Sequence, residues 1–177
     1  MTKPVLLTMS GSLRSGSYNR MLLAQAVAAF GEAEVIEGDL NLPLYDGDVE
    51  EAGTPEAVTR LCDQMARADA VVISGPEYNK GYSGVLKNAL DWLSRPSPSV
   101  LKDKPVATMS AAAGRTGGET AQFQTISILI QLQMQVVNGP LILVAAAQDE
   151  FGEDGSLPND FLQKQIKARM QRLRALT

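Results

Sequence analysis

Apolar residues along the chain fall into short continuous runs and into stretches with helical spacing, and the two kinds alternate. Residues 4–9 (PVLLTM) read as a buried strand, and residues 18–30 (YNRMLLAQAVAAF) as a helix with one apolar face. A short strand over 33–37 (AEVIE) leads into a long polar loop over 38–54, around Pro43 and Gly47. Pro55 suits the first turn of a helix whose inner face is Val58, Leu61, Cys62 and Met65. Residues 69–74 (DAVVIS) form another continuous apolar strand, 85–94 a helix, and 104–110 (KPVATMS) a strand. The last strand falls near 139–146, and a basic helix covers 158–175.

One stretch resists a simple reading. In TISILIQLQMQVV, Ile126, Ile128, Ile130, Leu132, Met134 and Val136 alternate with polar residues as in a strand. Leu129 breaks the alternation, and a right-handed crossover between parallel strands requires a helix there, so a helix over 118–134 is expected. Five strand–helix alternations then specify a doubly wound α/β domain, with a five-stranded parallel sheet and helices on both faces. No repeat, linker or low-complexity segment divides the chain, so a single domain over 1–177 is expected.

Composition narrows the chemistry. The 177 residues carry a formal net charge of -4 and no Lys/Arg run, which argues against nucleic-acid partners. The chain has one cysteine, Cys62, and no histidine, which excludes a Cys/His zinc site and a Ser-His-Asp triad. Redox chemistry would need a borrowed cofactor. The apolar run at the N-terminus is too short for a signal peptide and no stretch is long enough to span a bilayer, so a cytoplasmic location is expected. The acidic set Asp46, Asp48, Glu50 and Glu51 reads as a solvated loop rather than a metal site. Cys62 and Trp92 read as core residues, Trp92 also as a candidate for an interface. Arg169, Arg172 and Arg174 read as the solvated face of the last helix.

In an open parallel sheet, ligands bind at the carboxyl ends of the strands. Three loops there are rich in small residues: SGSLRSGSYN (10–19), GPEYNKGYSG (75–84) and SAAAGRTGG (110–118). The first offers Ser10, Ser12, Ser17 and Asn19 as neutral donors, Arg14 as a cation, and the open N–H groups of the helix that follows, which together suit a phosphate. It has neither the Gly-Lys-Ser/Thr ending of a Walker loop nor a GxGxxG fingerprint. Capping and turn formation explain the same residues, taken alone, about equally well. In the second loop, Pro76, Glu77, Tyr78 and Asn79 suit the edge of a flat heterocycle, although an ordinary turn would also use them. The third offers Ser110 and the glycines 114, 117 and 118. Together the loops suggest a flat, phosphorylated ligand of mononucleotide size. FMN fits a flavodoxin-like sheet of order 2-1-3-4-5.

The joint occurrence of GSLRSGSYN, PEYNKGYSGVLKNALDWLSR and the small-residue loop at 110–118 resembles the NADPH-dependent FMN reductase family, from about residue 4 to 146. That resemblance implies a flavodoxin-like enzyme that takes electrons from NADPH or NADH through FMN to quinones, ferric complexes, chromate or flavins, in a ping-pong scheme. It implies that Ser12, Arg14, Ser17, Tyr18 and Asn19 hold the FMN phosphate end. Pro76, Glu77, Tyr78 and Asn79 would contact the ring, and Ser110 would line it. It also implies a homodimer or homotetramer with the flavin at the subunit boundary, where Arg95 would reach a flavin and pair with Glu77 as catalytic partners. The alternative for Arg95 is an i,i+4 pair with Asp91 and a complement to its helix dipole. Arg115 could bind the 2′-phosphate of NADPH or be a plain surface residue. The competing function is a flavodoxin-type electron carrier. Carriers usually cover the ring with aromatics and are strongly acidic, whereas aromatics make up only 5% here and the net charge is modest. A signalling receiver domain needs an acidic pair after the first strand, where this chain has TMSGS.

Overall fold

A computed structural model describes residues 3–177. Among the described residues, eight strands occur in chain order: β1 (Val5–Ser10), β2 (Glu34–Gly38), β3 (Ala70–Ser74), β4 (Glu77–Tyr78), β5 (Gly81–Tyr82), β6 (Pro105–Ala111), β7 (Gln135–Val136) and β8 (Ile142–Val144). β4 and β5 form a small hairpin of their own, and the other six make the main sheet. Every pairing in that sheet is parallel, in the order β2-β1-β3-β6, with β7 and β8 sharing the far side of β6. The expected 2-1-3-4-5 order is therefore only partly matched: its first four positions agree, and its fifth is divided between two short strands. β7 pairs with the start of β6 at Pro105 and Val106, β8 with its end from Met109 to Ala111. The segment Asn138–Gly139–Pro140 interrupts the ladder where the sequence suggests one strand. Pro140 has no N–H to give such a ladder, and Gly139 sits at φ +138°.

The helices are α1 (Tyr18–Phe30), α2 (Gly47–Ala52), α3 (Glu56–Arg67), α4 (Gly84–Leu93), α5 (Glu119–Gln131), α6 (Ala147–Glu150) and α7 (Asp160–Arg174). The strands split the core by alternation. Leu6, Ala70 and Val72 pack toward α1 and α7, while Leu7, Val71 and Ile73 pack toward α3 and α4. Cys62 is half-buried against this second core, and its thiol is pushed up by burial and then by Asp63, so it is not an activated nucleophile.

Two further expectations change. The polar loop over 38–54 contains α2, which Asp46 caps through its side chain. Arg169 is only 4% exposed, not solvated: its guanidinium donates to Val137 O and Pro140 O, carbonyls that the broken strand leaves without ladder partners. The ambiguous stretch is helical through Gln131. Ala121, Gln122, Thr125 and Leu129 face inward at helical spacing, which leaves Phe123 (59% exposed) and Ile130 (62% exposed) outside. Gln133, at φ +60°, then turns the chain into β7. Among the described residues, no helix is long and apolar enough to cross a membrane.

Candidate functional site

The carboxyl ends of β1, β3 and β6 open into one cavity of about 440 Å³, within the usual range for small-molecule sites. All three small-residue loops contribute to its wall. From the first come Ser12, Arg14, Ser17, Tyr18 and Asn19, from the second Pro76, Glu77, Tyr78 and Lys80, and from the third the stretch from Ala111 to Thr116 and Gly118. Close backbone approach makes this possible. A Cβ on Gly11 would lie 3.0 Å from Gly75 Cα, so glycine there lets the first loop lie against the second without displacing it.

At one end of the cavity Ser17 caps α1, its side-chain oxygen accepting from Asn19 N at 3.2 Å. Arg14 lies over the Tyr18 ring, 5.5 Å from its centroid, and Tyr18 stacks on Phe151 at 5.7 Å, so the cation rests on a packed aromatic pair. Arg14 makes no ion pair among the described residues. The α1 N-terminus, two serines and an uncompensated guanidinium form a donor set suited to a phosphate monoester. Asn19 lines the cavity and also has a structural task. Its carbonyl oxygen accepts from Ser74 Oγ at 2.9 Å and Ala111 N at 3.0 Å, and its amide donates to Ala111 O at 2.9 Å. It is a buried strut that ties α1 to β3 and β6 beneath the cavity.

At the other end, PEYNKGY folds as a tight hairpin in which β4 pairs antiparallel with β5. Asn79 and Lys80 form the turn at φ +51° and +64°, the left-handed pair that such two-residue turns use. Asn79 thus sits at the hairpin tip, apart from the residues that line the cavity. Tyr78 does line it and is 54% exposed. Glu77 is held on both sides: Ala121 N donates to its carboxylate at 3.2 Å, and Lys80 Nζ lies 3.2 Å away. Burial pushes the Glu77 carboxyl up, but the amides at the α5 N-terminus and Lys80 outweigh it, so the group stays below its ordinary value. Glu77 therefore ties the hairpin to α5.

Two other expectations are corrected. Ser110 is fully buried behind the third loop, not on the cavity wall. Gly118, at φ +89°, covers it so closely that a Cβ there would collide with Ser110 Oγ. Arg95 does not meet Glu77. It follows the C-terminal end of α4, at the opposite end of that helix from the hairpin, and its Nε bonds both carboxylate oxygens of Glu50 at 2.9 and 3.0 Å. Asp91, the alternative partner, is taken by Lys87 at 2.6 Å. Tyr45 joins the Arg95–Glu50 pair through its hydroxyl, and Arg95 with Tyr45 holds the Glu50 carboxyl low. Trp92 is buried, donating to Pro43 O at 2.9 Å. This end of α4 clamps the loop after β2. Lys80, Ala112, Ala113 and Thr116 line the cavity although their loops, not these residues singly, stand out in the sequence, and Gly114 and Arg115 join them. The small residues of the third loop were the available clue.

The cavity wall carries three cations, Arg14, Lys80 and Arg115, against the single carboxylate of Glu77, in a chain of net charge -4. Such a wall favours an anionic ligand with a flat apolar body.

Comparison with known proteins gives consistent results. Residues 4–149 match the family model described as NADPH-dependent FMN reductase. An NAD(P)H-dependent FMN reductase of Pseudomonas aeruginosa is 40% identical over 170 residues, covering 95% of this chain and 92% of the relative. A quinone reductase of Escherichia coli is 39% identical over 149 residues, covering 82% and 79% of the two chains. The solved structure of FerB, a flavoenzyme NAD(P)H:(acceptor) oxidoreductase from Paracoccus denitrificans, superposes with a TM-score of 0.83 at 31% identity, covering 97% of this chain and 98% of that one.

Proposed function

The chain belongs to the NADPH-dependent FMN reductase family, and from that premise we propose that it is an FMN-dependent NAD(P)H oxidoreductase that reduces quinones and other small acceptors. The observation that carries this reading is the cationic cavity where three strand-end loops meet, with a phosphate-type donor set at one end and a rigid hairpin at the other. FMN, when bound, supplies two-electron chemistry between a nicotinamide and an acceptor. The chain's own residues bind and orient it. Ser12, Arg14 and Ser17 hold the phosphate, and Pro76 and Tyr78 flank the ring. Glu77 keeps that hairpin fixed against α5, and the glycines of the third loop allow close approach. Donor and acceptor would share this one cavity in turn, which favours a ping-pong order. The excess positive charge also favours anionic acceptors such as chromate and ferric chelates.

The homo-oligomer is part of the same reading. Residues 120–148 contain no charged side chain, and α5 within that run exposes Phe123 and Ile130 beside the hairpin. A second copy would cover this face.

Equilibrium dialysis of the apoprotein tests the cofactor assignment. One FMN per chain is expected, with riboflavin bound far more weakly. Arg14→Ala loses a charge-assisted contact of about 1.5–3 kcal/mol, roughly a ten- to hundredfold weaker FMN affinity. Equal affinity for FMN and riboflavin would remove the phosphate assignment.

A further inference from the structure

We propose that Arg115 binds the 2′-phosphate of NADPH and sets the enzyme's preference among nicotinamide donors. This inference rests on the FMN reading of the cavity. Of the three cations on its wall, Lys80 is neutralised by Glu77 at 3.2 Å. Arg14 sits with Ser17 at the N-terminus of α1, where the terminal phosphate of FMN uses its charge. Arg115 is left over: it lines the same cavity, is exposed, and makes no ion pair among the described residues. A monophosphate cofactor compensates one cationic end only, so the second cation is matched to an anion that arrives with a substrate.

The position of Arg115 selects which anion. It is exposed on the third loop, between Gly114, where a Cβ would meet no neighbouring atom within 4 Å, and the left-handed pair Gly117 and Gly118 at φ +60° and +89°. The nicotinamide must reach the ring end beside Pro76 and Tyr78, so the adenosine half of the donor extends outward along the rim. A guanidinium there meets the adenosine ribose, and its planar fork suits a phosphate dianion better than a hydroxyl. With the chain at net -4, the general field repels polyanionic donors, which makes a local rim cation decisive for NADPH.

The test compares wild type, Arg115→Ala and Arg115→Lys as FMN-loaded enzymes. For Arg115→Ala, kcat/KM with NADPH should fall at least tenfold through KM, and with NADH less than threefold; Arg115→Lys should recover part of the NADPH value. Calorimetry supplies a readout apart from turnover: 2′,5′-ADP should bind the wild type and lose at least tenfold affinity in Arg115→Ala, while 5′-ADP changes little. Equal losses for NADPH and NADH, or no loss, would overturn the assignment. FMN content separates the two claims. If Arg115→Ala releases FMN, Arg115 belongs to the cofactor and the inference fails while the cofactor reading stands. If the wild type binds no FMN, the cofactor reading itself fails.

Discussion

Glu77 and Asn19 show how similar polar residues take different work from their surroundings. Both sit on loops that read as ligand contacts, yet their strongest partners lie far along the chain. Glu77 meets Ala121 at a separation of 44 residues, and Asn19 meets Ser74 and Ala111 at 55 and 92. No local pattern encodes those meetings, because the topology creates them by bringing β1, β3 and β6 side by side. Ser17 and Arg14, by contrast, meet neighbours close in sequence: Ser17 caps its own helix and Arg14 lies over Tyr18 in the first turn. The Glu77 carboxyl titrates below its ordinary value of 4.5 in the folded state. Its contribution to stability is therefore complete above the unfolded value and disappears as pH falls through the lower, folded one. Chemical denaturation from pH 7 to pH 3 should show Glu77→Gln less stable than wild type at neutral pH, with the gap closing below about pH 4.5. A gap constant with pH would mean that the charge is unimportant. Asn19→Ala should destabilise the apoprotein by about 2–4 kcal/mol, since it leaves the Ser74 hydroxyl and both Ala111 backbone groups unpaired. Urea unfolding without FMN measures this, and a loss below about 0.5 kcal/mol would assign Asn19 to the ligand instead.

At the scale of elements, most strands and helices follow from hydrophobic runs, because a sheet covered on both faces has continuous apolar strands. The failures have physical causes. α2 was missed because none of its residues is buried, so it carries no apolar periodicity; only the cap at Asp46 could have marked it. The fifth strand read as one segment because its apolar residues run on through 141–146, while Asn138–Gly139–Pro140 breaks the ladder just before them. The alternation over 126–136 arose from two sources. α5 contributes Ile126, Ile128 and Ile130, and the exit turn and β7 contribute the rest. Ile130 at 62% exposure is the residue that alternation misassigns to an interior. That exposed face gives α5 a second prediction. Multi-angle light scattering at low micromolar concentration should find a dimer or larger, well above the 18.9 kDa chain, and Ile130→Glu should shift it toward monomer. A wild-type monomer would contradict the oligomer.

At the scale of the whole molecule, the site is a property of the sheet's carboxyl edge. Asn19, the Gly11–Gly75 approach and the Glu77–α5 contact join three loops into one wall, leaving an uncompensated positive charge inside an acidic protein. An electron carrier and a reductase could share that cavity, but only the reductase accepts electrons directly from a nicotinamide. The decisive measurement mixes FMN-loaded protein with NADPH under nitrogen, with no second protein present, and follows the flavin's visible absorbance. Stoichiometric bleaching by NADPH and full recovery on adding a benzoquinone are expected of the reductase. A band that persists with both NADPH and NADH, yet bleaches with dithionite, would contradict that reading and leave an electron carrier.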